Sequence, residues 1–373
     1  MRNGKRLGPL SLPVIFLAVV SCSTLDVSML DVSTLEVRLI DALQSVLQTG
    51  IDTEQAGPGN GVEPSPTLLQ SGTKDGESSS GDPSLADYLR MNDEEQRLGD
   101  YKDSEQMLRL KLDQLAYINR SRRRHGAPPV ELDILASRVA NAMAREACVE
   151  SFQGHWNTRG EKPYHRYAFA GGLDHVSENA SAAWSSAAIP RTPESYAGQM
   201  RGAHDRFMAE TPPNDGHKRN CIAREHNYVG LGVWIEGTQF RYYEEYIDRY
   251  LDFLEAPTQM ESGEQALIVV RAMDPSFYIY ALSAYYEPIP APMTPQQINR
   301  KGSYPDYTEV RALSLWPWEL EKHRQGDVFH IPVSFEKKGL YYVQLYLSDQ
   351  PYSTTSASTR GKTQASGLVI RVR

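Results

Sequence analysis

YVGLGVWIEGTQFRYYEEYIDRY, residues 228–250, is the stretch on which the fold turns. Residues 228–237 and 240–250 are two runs rich in β-branched and aromatic side chains, separated by a short turn, and they predict paired strands. The chain before them has helical patterning. Across 87–124, Leu98, Met107, Leu108, Leu110, Leu112, Leu115 and Ile118 are interleaved with polar residues, which predicts an amphipathic helix over at least 104–123, stopped by Gly126 and Pro128. A second helix is predicted over 131–151, where Leu135, Val139 and Met143 supply apolar surface and Ala136, Ala140 and Ala142 permit close approach. A third spans 193–210, with Pro193 in the first turn and PPNDG breaking it before His217. Helices followed by a short sheet define an α+β layered domain.

Beyond this domain the helical period disappears. ALIVVRAM, SFYIYALSAYY, TEVRALSLW, DVFHIPVSF, GLYYVQLYL and SGLVIRVR are aromatic and β-branched runs separated by Pro, Gly, Asp and Ser, so an all-β, sandwich-like C-terminal domain is expected. STTSASTRGKTQAS reads as an exposed hairpin loop before the last strand. Trp316 and Trp318, extended around Pro317, would share one side as exposed aromatics.

The opposite end is different again. Arg2, Lys5 and Arg6 precede the apolar run PLSLPVIFLAVV, which is shorter than the roughly 20 residues that span a bilayer and ends at Ser21 and Cys22, as a signal peptide does. VVSC resembles a bacterial lipobox: either the mature chain begins at a lipidated Cys22, or cleavage falls close by and the product is secreted. Residues 23–37 repeat STLDV, SMLDV, STLEV, and residues 49–85 turn to Gly, Ser, Pro, Thr, Asp and Glu, which cannot offset ordering entropy by burial. The formal charge of -8 is uneven: residues 1–22 carry +3, residues 23–103 carry -11, and the remainder is neutral. A neutral body on an acidic arm lacks the positive field that nucleic acids require, so no nucleic-acid partner is expected. The expected order is a signal peptide over 1–22, an acidic tether over 23–95, an α+β domain over 96–258 and the β domain over 259–373.

Among nine histidines, His155 in FQGHW and His217 in NDGHKRN follow predicted helices, and Glu178 in SEN and Glu210 in FMAE are the acidic residues nearest in pattern. Two imidazoles and two carboxylates converging in a groove can hold a divalent ion such as Zn²⁺, or activate a water. Neither GxSxG nor HExxH occurs. Cys148 and Cys221, exported into an oxidising compartment, can form one disulfide or remain buried thiols.

The segment YINRSRRRHGAPPVELDILASRVANAMA, with Asn119, Arg122, Gly126, Leu135 and Ala140, resembles the opening of the CAP superfamily (cysteine-rich secretory, antigen 5 and pathogenesis-related) in its bacterial SCP-like form. GHW leading to SENASA, and GHKRNCI followed by VGLGVW, resemble later passages of the same family; together the likeness covers about residues 104–250. It implies a three-layer α-β-α sandwich whose cavity is lined by His155, Glu178, Glu210 and His217, with Asn179 and Asn220 satisfying loop backbone groups. Glu210 is the loosest match, because Phe207 stands where members carry Trp and PPNDG lengthens the usual turn; either Glu210 fills the second acidic place or the cavity has three members. The implied function is an exported protein at the outer membrane or cell surface, or secreted, binding a divalent cation and an extracellular protein, lipid or glycan. Two alternatives share the sequence: a metal-assisted hydrolase with Glu178 or Glu210 as base, and a degenerate scaffold that binds through its β domain.

Overall fold

The computed structural model describes the backbone of residues 15–16 and residues 83–305, 308, 310–351 and 358–373. The expected signal peptide, apart from residues 15–16, the expected tether up to residue 82, and residues 352–357 of the Ser/Thr-rich loop lie outside these. Residues 83–373 belong to one compact unit.

Regular structure is already present before the expected boundary at residue 96. Helix α1, Leu85–Glu94, lies within the stretch assigned to the tether. A capping box explains it: Ser84 accepts from the Asp87 N–H while the Asp87 carboxylate accepts from the Ser84 N–H. Tyr88 and Asn92 bury its inner face. Helix α2 follows, Glu105–Arg124, capped by Ser104 and ended by Gly126 in the left-handed region. Its Arg122 is not a surface charge. It is fully buried and donates to the carbonyls of Pro128, Cys221, Ala223 and His226 at 2.7–3.1 Å, tying the end of α2 to the loop before the central strands.

The second predicted helix is shorter at its start. Glu131–Leu132 is a strand, β2, because its backbone pairs in parallel with Tyr228 and Val229, and helix α3, Ile134–Val149, begins only after Asp133, whose carboxylate caps the Ala136 N–H. Helices α4, Pro163–Phe169, α5, Pro193–Ala209, and α6, Gly216–Ile222, complete this half.

Its sheet has the order β1-β3-β5-β4-β2, with β1 being Ile15–Phe16, β3 His175–Ser185, β4 Tyr228–Glu236 and β5 Gln239–Asp248. Strand alternation splits the side chains of β4 between two helical layers. Val229, Leu231, Val233 and Ile235 pack with Leu108, Leu115 and Ile118 of α2 and with Met200, Ala203 and Phe207 of α5. Gly230 and Gly232 face α3 instead, where Ala136 and Ala140 lie so near that a Cβ on either glycine would overlap helix backbone. Helices therefore cover both faces of the sheet.

The C-terminal half is β-rich, as expected. Strands β6 (Leu251–Glu255), β8 (Gln265–Ala272), β11 (Arg324–Gln325) and β12 (Val328–Ser334) form one sheet in the order β11-β12-β8-β6. The second sheet runs β10-β9-β13-β15-β7, with β14 beside β13; its members are β7 (Gln259–Met260), β9 (Tyr278–Glu287), β10 (Arg311–Leu315), β13 (Gly339–Ser348), β14 (Thr363–Gln364) and β15 (Leu368–Val372). Ile268, Val270, Ile331 and Val333 of one sheet share a core with Val343, Leu345, Leu368 and Ile370 of the other. Because β6 pairs with β8, the β half begins before residue 259. The halves are not independent bodies: Leu340, Tyr342 and Val369 pack with Leu135, Val139, Tyr164 and Tyr167. Trp316 and Trp318 are both half-buried, their rings stacked at 6.5 Å, since Pro317–Leu320 is a helical turn and not an extended segment.

Candidate functional site

The two histidines singled out in the sequence are held by adjacent residues of β3. His155 lies in the turn after α3, and its Nδ1 is 2.7 Å from Glu178 Oε1. The other Glu178 oxygen accepts from Arg166 of α4, which also donates to the His155 carbonyl at 2.7 Å. Glu178, Arg166 and His155 are all buried. Directly across the β3–β5 ladder from Glu178 stands Glu245, 3.4 Å from Arg166. A single guanidinium thus serves two facing buried carboxyls. Burial pushes Glu178 up, opposed by Arg166, and burial together with the Glu178 charge pushes Glu245 well above the carboxylate range. The pair retains a proton, and Glu245 is its natural holder.

This has a consequence for stability. Below the ordinary carboxylate range, near 4.5, the folded and unfolded chains both hold the Glu245 proton. Above it the unfolded chain releases the proton while the fold keeps it, so this group's contribution falls as pH rises toward the raised folded pKa. Glu245→Gln keeps a neutral donor at the position. Urea unfolding should show the stability difference between variant and wild type shifting in the variant's favour from about pH 4 to about pH 8. A difference that is flat, or that shifts toward wild type, would contradict the assignment of the proton to Glu245.

His217 is built differently. The expected acidic partner, Glu210, is the residue on which α5 ends; its Oε1 is 2.5 Å from His217 Nδ1 and its Oε2 accepts from the His217 N–H at 2.9 Å. Phe207, standing in place of Trp, stacks on the imidazole at 4.8 Å. Asn179 donates to the His217 carbonyl at 3.1 Å, and Asn220 donates to Asn179 Oδ1 at 3.0 Å. Asn179 thus bonds loop backbone, whereas the Asn220 side chain bonds the side chains of Asn179 and Ser177 in place of the backbone groups expected of it.

His155, Glu178, Asn179, His217 and Asn220 line a cavity of about 680 Å³. Glu210 stands behind His217. Sequence reasoning missed several neighbours of this cavity. His226 bonds Asp248 at 2.5 Å through Nδ1 and Asn220 Oδ1 at 3.0 Å through Nε2, and His175 lies beside Asp248. Tyr304, from the C-terminal half, packs edge-on to His155 at 4.9 Å, and its hydroxyl accepts from the Glu178 N–H at 3.0 Å. Lys362 and Gln364 add a wall from the same half. Strand register and the packing of the two halves bring these residues together.

The doublet Glu244–Glu245 is divided by strand alternation. Glu245 meets Arg166, whereas Glu244 faces the other layer, where His204 Nδ1 is 2.9 Å from its Oε1 and Cys221 Sγ is 3.5 Å from its Oε2. His204, Cys221 and Glu244 are all completely buried, with ligand-type atoms within 4.8 Å of one another, a donor set that suits a divalent metal. The disulfide expected between Cys148 and Cys221 does not form. Cys148 lies on the α3 side against the Trp234 carbonyl, Cys221 packs with α2 and α5 on the opposite face, and both are free. Burial pushes the Cys148 thiol up to about 11 and the Cys221 thiol well above its ordinary value.

No family model matches the chain, and no curated protein matches it. Among solved structures, it is similar in part to an extracellular protein containing a SCP domain from Bacillus anthracis str. Ames: 17% identity, with 37% of this chain and 40% of that chain aligned and a TM-score of 0.28. The chain thus spans less than half the length of that protein. Among the described residues, no helix is long and apolar enough to cross a membrane.

Proposed function

We propose that this is an exported CAP-like protein whose cavity holds a divalent cation between His155 and His217 and presents it to an extracellular ligand. The observation that carries the reading is the pairing of both cavity histidines, through Nδ1, with a carboxylate: the buried Glu178 for His155 and the half-buried Glu210 for His217. Metal-binding imidazoles commonly donate their second ring nitrogen in this way, which fixes the ring and raises its basicity. Imidazole donors suit Zn²⁺ among the common divalent ions. When bound, the ion would supply a Lewis-acid contact for a ligand oxygen in the cavity. Glu178 and Glu210 act as holders, because both oxygens of each are engaged: by His155 and Arg166, and by the His217 side chain and backbone. A base that activates water needs an oxygen to spare, so binding is favoured over hydrolysis. Export rests on the leader and Cys22, with a lipid at Cys22 or release as the two modes of display.

Equilibrium dialysis of the folded full chain against zinc tests the site. The wild type should take up an exchangeable ion, and the His155→Ala, His217→Ala double variant should lose it, with affinity lower by at least about 100-fold. Unchanged uptake by the double variant would overturn the assignment.

A further inference from the structure

We propose that His204, Cys221 and Glu244 form a second metal site, enclosed between helix α5, helix α6 and strand β5, for a divalent transition ion with affinity for sulfur, such as Zn²⁺. The three residues come from three elements and none is exposed at all. Their ligand atoms are spaced 2.9 Å for Nδ1 to Oε1, 3.5 Å for Sγ to Oε2 and 4.0 Å for Sγ to Nδ1. Around a tetrahedral zinc, bonds of about 2.3 Å to sulfur and about 2.0 Å to nitrogen and oxygen put sulfur about 3.5 Å from the other two and nitrogen about 3.3 Å from oxygen. Shifts of about half an ångström convert one arrangement into the other, well within side-chain adjustment.

The surroundings fit a loaded site. The imidazole of His204 meets the cluster through Nδ1. The Asn179 amide donates to Cys221 Sγ at 3.1 Å, a contact that a metal-bound thiolate would accept, and the Arg122 guanidinium, bonded to the Cys221 carbonyl at 2.7 Å, fixes the backbone of that residue. Tyr242 and Tyr246 donate to Glu244 Oε1 and Oε2 at 3.0 and 2.9 Å, orienting the carboxylate as outer-shell partners do. Loading releases the Cys221 proton to solvent and moves the imidazole proton from Nδ1 to Nε2, so one proton leaves for each ion bound. A site this enclosed fills as the chain folds. It differs from the His155 and His217 cavity in its sulfur donor, and that difference supplies the readout.

The full chain, unfolded with chelator and reductant and then refolded with Co²⁺, should show thiolate-to-cobalt charge-transfer absorption. The Cys148→Ser variant and the His155→Ala, His217→Ala double variant should keep it, and Cys221→Ser should lose it. His204→Gln, which retains a donor to Glu244 but no imidazole nitrogen, should weaken Co²⁺ binding at least about tenfold and serves as the second variant should Cys221→Ser not fold. In the His155→Ala, His217→Ala background, added metal should raise the thermal midpoint, and adding Cys221→Ser to that background should abolish the rise. A wild type that refolds in Co²⁺ without the absorption overturns the proposal and leaves the cluster as a hydrogen-bond hub around Glu244. So does absorption that survives in Cys221→Ser or vanishes in Cys148→Ser. The cavity double variant separates this outcome from the fate of the proposed function, because it reports the buried site whether or not the cavity binds.

Discussion

Arg166→Met should destabilise the protein by about 3–5 kcal/mol, the cost typical of removing one partner from a buried ionic cluster. Arg166 is buried and is the guanidinium on both Glu178 and Glu245, while also holding the His155 carbonyl at 2.7 Å and the Glu161 carbonyl at 3.3 Å. Burial by itself would lower its pKa, but the negative charge held by the Glu178 and Glu245 pair outweighs that and raises it. With Met in its place, two facing carboxyls remain in a dry layer with no cation, and His155 loses its backbone anchor. Against a total stability of about 5–15 kcal/mol, such a loss leaves little margin. Urea unfolding and zinc uptake should fall together. A variant within about 0.5 kcal/mol of wild type would show that the cluster is not held as described.

Gly232→Ala should cost about 3 kcal/mol, at the upper end of overpacking penalties. An added Cβ would sit 2.1 Å from the Ala140 carbonyl carbon and 2.3 Å from its oxygen, both helix backbone, so α3 would have to move off the sheet. Gly198 supplies the control: it is exposed on α5 with no atom near its Cβ direction, and Gly198→Ala should be neutral or stabilising by up to about 1 kcal/mol. Thermal unfolding of both variants checks the contrast. Equal midpoints would contradict the close approach of α3 to β4.

These two positions also show what was readable in advance. The small residues Ala136 and Ala140 announced a tight helix surface, and Gly230 and Gly232 are their counterpart on the strand. Alternation in VGLGVW carries that information within one segment, which is why β4, α2 and α5 came close to their expected bounds. Strand β3 was missed for the converse reason. HVSENASAAWS contains few β-branched residues, and it is a strand because every residue from His175 to Trp184 finds a partner on β5. Helix α1 was hidden in an acidic stretch whose composition resembles the tether, although S-x-x-D at Ser84 and Asp87 was its cap signal.

The site divides along the same line. His155, Glu178, Glu210 and His217 were recognisable as residue types in a family-like order, and Glu210 finds His217 through a turn of only a few residues. Arg166 and Glu245 were not recognisable, because the first reaches across from a different helix and the second acquires its meaning from ladder register. The YYEEY run reads as part of a strand. Its two glutamates face opposite layers, one completing the Arg166 cluster and the other the His204 and Cys221 cluster. Tyr304 and Lys362 lay beyond any local reading, since they enter the cavity from the half of the chain that sequence treated as a separate domain.

Diffraction from crystals of the full chain grown with zinc, recorded at the zinc absorption edge, tests the central claim most directly. The account predicts an anomalous peak in the cavity about 2.0–2.1 Å from one imidazole nitrogen of His155 and one of His217. No peak between these two residues, even with zinc found elsewhere in the protein, would contradict it.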